Sequence, residues 1–189
     1  MKTGRLETPV LVLHLSALAL TLGPPIFFGA VVAPASFRLL PTRDLAASLQ
    51  GPVLTRLCWM MQGGFALLLL TSWLLCRWRR GPRALTALLT RAPILGIIGA
   101  VVIEKLLIPP IDKIRAEAPG LIDNLPAADP GRILLARYHR LATTIFAVEI
   151  AAAALVLFAT ARLLRPEGAG GPPASARPPG PKLLDLGGL

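Results

Sequence analysis

The stretch YHRLATTIFAVEIAAAALVLFATARLL, residues 138–164, decides the fold class. Between Arg140 and Arg162 its only charged residue is Glu149. A helix crosses the hydrocarbon core of a bilayer with about 20 mainly apolar residues, and this run is long enough. Three more such runs precede it, at about 9–32, 52–76 and 82–108. The 189-residue chain is 54% hydrophobic and 16% charged, where a soluble domain carries roughly 25% charged residues. What lies outside the four runs is too short to build a separate soluble core. The sequence therefore predicts an all-α fold. Residues 9–164 form an integral membrane four-helix transmembrane bundle, preceded by a cytoplasmic segment at 1–8. A disordered Pro/Gly-rich C-terminal tail occupies 165–189.

Proline and glycine set the expected boundaries. Gly23-Pro24-Pro25 interrupts the first run. Two prolines leave carbonyls without helical donors, so a kink facing the bundle is expected there. Ala33 to Gln50 reads as a connection, with Thr42 capping a short helical lead-in and Gly51-Pro52 opening or bending the second run. Pro109-Pro110 is expected to stop the third run, and Ile111 to Ala128 to form the longest loop. Asp129-Pro130 then reads as a helix start, with Asp as cap and Pro as first helical residue. Lys2 and Arg5 ahead of an apolar run resemble a secretory leader, and Ala33-Pro34-Ala35 resembles a cleavage site. The run is longer than a signal core and is broken by Gly23-Pro24-Pro25, which favours an uncleaved first span.

The formal net charge of +10 does not point to nucleic acid. The basic residues flank the apolar runs, where they meet anionic lipid headgroups, and no nucleic-acid-binding pattern is present. Membrane lipids are the partners this arrangement implies. The densest basic cluster, Arg77, Arg79, Arg80 and Arg83, lies between runs two and three. Cytoplasmic connections carry such clusters. The expected topology is multi-pass in a bacterial cytoplasmic membrane with both termini inside. Cys58 and Cys76 lie at opposite ends of the second run, roughly 27 Å apart by helical rise, too far to bridge.

Charged residues within a span are costly and are suspects for function. Helical phase groups Arg91 with Leu95, Ile98 and Val102, a lipid-facing stripe from which a long Arg stem can snorkel. Ala92, Gly96, Ala100 and Glu104 recur every four residues, a small-residue face that admits a close neighbour. Lys105, next in sequence, is expected to point elsewhere, toward the outer headgroups. Glu149 shares a face with Ala142, Ala153 and Thr160, also suited to packing. An unpaired carboxyl at that depth favours its neutral form, and Gln62, at similar depth, is the expected partner. Near the outer surface Glu104, His139, Arg140 and Arg56 form a candidate polar cluster. Its bland reading is an ion-pair lock between helices. His14 and His139 lie at opposite ends of the bundle, roughly 20 Å apart in depth, so no shared metal or haem site is expected and no cofactor is implied.

The stretch Phe27-Phe28-Gly29-Ala30-Val31-Val32-Ala33-Pro34-Ala35-Ser36-Phe37-Arg38 resembles the end of the first span in the transmembrane protein 205-like family, also catalogued as domain of unknown function 4149. Ile108-Pro109-Pro110-Ile111-Asp112-Lys113-Ile114-Arg115 is similar to the segment after that family's third span, and Tyr138-His139-Arg140-Leu141 to its Leu-His motif. The resemblance covers roughly residues 10 to 164. It implies four spans and no established enzyme activity. Two departures stand out: Gly23 is followed by two prolines in place of a glycine-rich turn, and Ala142 occupies a position that is often Ser in the motif.

The favoured function class is a non-enzymatic membrane protein whose bundle binds or conducts a small species or supports a partner. Small-residue helix faces offer a surface for homo-oligomer formation. The competing class is a small membrane enzyme acting on a lipid or quinone at the outer interface through His139 and Glu104.

Overall fold

The structure, a computed structural model, describes residues 4–79, 82–118 and 120–165. The expected disordered tail lies outside the described residues. The described chain is all-helical. Helix α1 covers Gly4–Phe27, a π-helical turn covers Phe28–Val32, and α2 covers Ala33–Leu39. Helix α3 spans Arg43–Trp78 and α4 spans Arg83–Val102. A second π-helical turn at Ile103–Leu107 leads into α5, Ile108–Glu117. A 3₁₀ turn at Ile122–Asn124 precedes α6, Pro130–Leu163. These pieces make four continuous rods, Leu6–Leu39, Arg43–Trp78, Arg83–Glu117 and Pro130–Leu163, each long and apolar enough to cross a membrane. The protein is a four-helix membrane bundle.

The prolines are absorbed where a break was expected. A proline lacks an N–H and its ring crowds the carbonyl four residues back. Pro34 thus disturbs the carbonyl of Ala30, and Pro109 and Pro110 those of Lys105 and Leu106. Both π turns lie over those carbonyls. The residue just before each proline closes the widened turn. Ala33 N–H donates to Phe28 O, and Ile108 N–H to Ile103 O, each five residues back. The third rod therefore runs on to Glu117. The lead-in capped by Thr42 fuses with the second run into one helix that carries Pro52 inside it. Gly23-Pro24-Pro25 likewise lies within α1.

Local caps follow the sequence. The Thr42 side chain accepts from Leu45 N–H at 3.2 Å, and Asp129 accepts from Arg132 N–H at 3.0 Å.

The rods pack in a ring: α1 on α3, α3 on α4, α4 on α6, and α6 less extensively back on α1. Met61, Phe65, Leu68 and Val156 fill the centre and are inaccessible. Gly96 allows this packing, since a Cβ there would lie 2.4 Å from the Phe65 ring. The opposite faces carry exposed Leu95, Ile98, Val148 and Phe158, as a lipid-facing surface should. Arg91 is exposed on the Leu95 and Ile98 side. Cys58 and Cys76 are both free.

Candidate functional site

Glu104 sits on the π turn of the third rod and is only 8% exposed. Trp59 Nε1 donates to its Oε1 at 2.8 Å, and Gln62 Nε2 donates to its Oε2 at 2.7 Å. Lys105 Nζ lies 2.7 Å from Oε1. The carboxylate is thus an ion-paired, hydrogen-bonded tie between the second and third rods. Lys105 thus turns back to Glu104 instead of reaching for the outer headgroups. Gln62 serves Glu104 and not Glu149.

Glu149, on α6, is 1% exposed. Neither carboxyl oxygen has a hydrogen-bond partner among the described residues. Its space comes from Gly99, where a Cβ would stand 2.6 Å from Glu149 Oε1. A polar group buried without a hydrogen bond is costly, so this carboxyl is a destabilising feature of the packing between α4 and α6.

His139 and Arg140 are exposed, as is Arg56. Among the described residues no hydrogen bond or ion pair joins any of the three to Glu104. Phase explains the separation on α6. Ten residues divide His139 from Glu149, about 280° of helical rotation. Glu149 faces the third rod, while His139 turns toward the first.

A third polar group joins His14 to two threonines that sequence reasoning did not connect with it. His14 is fully buried, with Nδ1 2.8 Å from Thr71 Oγ1 and Nε2 2.9 Å from Thr160 Oγ1. It ties the first, second and fourth rods together. A neutral imidazole offers one donor and one acceptor. One threonine therefore donates to the ring, while the other is free to donate to its own helix, at Leu67 O or Val156 O. The available signal was three polar residues at like depth in apolar runs.

At the opposite end the first rod separates from the fourth. Its last part, Phe28–Leu39, makes no extensive contact with α6. A cavity of about 470 Å³ opens between them, lined by Pro25, Phe28, Phe146 and Ile150 and by the polar Gln50 and His139. A smaller cavity of about 150 Å³ continues inward past Leu54, Ile108 and Arg115. A third, of about 290 Å³, lies beside Arg43, Asp44, Arg115 and Arg132. Phe37 and His139 line all three, so the spaces meet at those two side chains. The result is a cleft with an apolar flank and a charged mouth.

The family model described as Domain of unknown function (DUF4149) matches residues 16–120, more than half of the chain. The chain belongs to this family. The match carries that description and not the transmembrane protein 205-like name. It ends before α6, so the likeness at Tyr138-His139-Arg140-Leu141 rests on those residues alone. No curated protein and no solved structure matches the chain.

Proposed function

We propose that this family member is a non-enzymatic membrane protein that holds an amphiphilic molecule in the cleft between its first rod and α6. The observation that carries the reading is the cavity of about 470 Å³ between Phe28 and Phe146, with His139 and Gln50 at its polar end. Cavities that take small molecules run from about 300 to 1,000 Å³, mostly apolar with a few polar groups. This one combines both features. The exposure of Gly29, Thr143 and Ala147 on its rim favours entry from the side, out of the lipid.

The enzyme alternative needs His139 and Glu104 to act together. Glu104 is instead engaged by Trp59, Gln62 and Lys105. Conduction through the middle is disfavoured by the filled axis at Met61, Phe65 and Leu68. The small-residue faces at Gly96 and Ala153 are buried within one chain, so homo-oligomer formation would use another surface. We also place the protein in a bacterial inner membrane with both termini cytoplasmic. The basic cluster from Arg77 to Arg83 favours that orientation, which puts the charged mouth at the outer leaflet.

The test is native mass spectrometry of the full chain released from detergent. The wild type should retain an adduct of lipid mass. Ala147→Trp, which fills the rim, should lose it while keeping the same thermal midpoint. Lack of an adduct in the wild type, or equal retention by Ala147→Trp, would refute the reading.

A further inference from the structure

The amphiphile of this cleft, we propose, is an anionic lipid of the surrounding bilayer, with its acyl part beside Phe28 and Phe146 and its headgroup between Arg115 and Arg132. The inference rests on the cleft reading and adds the chemistry of the headgroup.

Two half-buried guanidiniums carry it. Arg115 extends from α5 and Arg132 from the first turns of α6, and both line the cavity of about 290 Å³. Each is anchored to a neutral acceptor. Arg115 Nη1 donates to Ala47 O at 3.1 Å, and Arg132 Nη1 to Leu125 O at 2.7 Å. A guanidinium has five N–H donors in a planar fork suited to phosphate or carboxylate oxygens. Arg115 Nε is shut off from the surface with no hydrogen-bond partner among the described residues. Partly desolvated cations with spare donors call for an anion.

The carboxylates nearby are outnumbered. Asp44 lines the same cavity and has interactions of its own, and Asp112 lines the adjoining one. With Arg43, the lining holds three guanidiniums against two carboxylates. One negative headgroup balances that excess.

Depth fits as well. The rods are 34 to 36 residues long, about 51 to 54 Å at helical rise, against roughly 30 Å of hydrocarbon. The surplus length carries Arg43, Arg115 and Arg132 into the headgroup zone, while Pro25, Phe28 and Ile150 stay at acyl depth. A lipid already lying in the bilayer spans the same two zones. A soluble phosphate would leave the apolar flank unused, which favours the lipid as the source.

The experiment compares phosphatidylglycerol and phosphatidylcholine of identical chains, added to the delipidated full chain and read by native mass spectrometry. The wild type should retain phosphatidylglycerol about tenfold better, the scale of one charge-assisted contact. Arg115→Gln with Arg132→Gln should bring the two lipids to near parity, with phosphatidylcholine retention unchanged. Arg115→Lys with Arg132→Lys should keep most of the preference, which separates charge from folding. Thermal midpoints without lipid should agree among all three proteins. Equal retention of both lipids by the wild type would overturn the headgroup inference and leave the cleft reading standing. So would a preference that survives both Gln substitutions. Inorganic phosphate displacing phosphatidylglycerol at equal concentration would overturn it in favour of a soluble-anion site. Retention of neither lipid would overturn the cleft reading itself.

Discussion

At residue 149 a carboxyl group meets Gly99 and no donor. An unsatisfied buried polar group costs about 1–3 kcal/mol, and replacing it by an apolar group of like shape is near neutral or stabilising. Glu149→Leu should therefore raise the thermal midpoint in detergent by about 1–3 kcal/mol of stability. Glu149→Gln, which keeps unsatisfied polar atoms there, should leave the midpoint near wild type. A Leu variant less stable than the Gln variant would contradict this account of the site. Glu104 and Glu149 were legible because charges are rare inside apolar runs. Their partners were not. Helical phase says which side of a rod a residue occupies, but not which rod stands opposite. Gln62 was thus matched with Glu149, whereas its amide serves Glu104. The partners of His14 were missed for a similar reason. Its two threonines stand 57 and 146 residues away and look ordinary on their own helices.

Among the elements, caps were legible and proline effects were only half so. Thr42 and Asp129 act within three residues of themselves, and the sequence there contains the whole interaction. Pro109-Pro110 poses a different problem. The local rule says that a carbonyl loses its donor, but a stop and a π turn both answer it. Continued packing of α5 near α3 and α6 favours the second. The π turn sets the phase of Arg115 beyond it. Pro109→Ala with Pro110→Ala allows the ladder to revert to α. Removing one surplus residue from a turn rotates the helix beyond it by about 100°. Arg115 would then turn away from the cleft, and retention of phosphatidylglycerol should fall to that of the Arg115→Gln, Arg132→Gln protein. Retention equal to wild type, with the bundle still folded, would show that the π turn does not position the site.

For the whole molecule, four rods longer than a bilayer is thick decide what each end can do. The end near residues 79–83 is tied by an ion pair between Arg79 and Glu7, and by His14 deeper in. At the other end the first rod leaves the fourth and opens the cleft. The sequence disclosed the number of rods because each is a separate apolar run. It could not disclose the cleft, which is a gap between residues from all four rods with no motif of its own. The most direct measurement is substituted-cysteine labelling from each side of sealed membranes, after Cys58 and Cys76 have been replaced. Single cysteines at Pro41 and Ala127 should react with a membrane-impermeant maleimide from one side, and a cysteine at Arg83 only from the other. Labelling of Pro41 and Arg83 from the same side would contradict four crossings, and with them the depth assigned to Glu104, Glu149, His14 and the cleft.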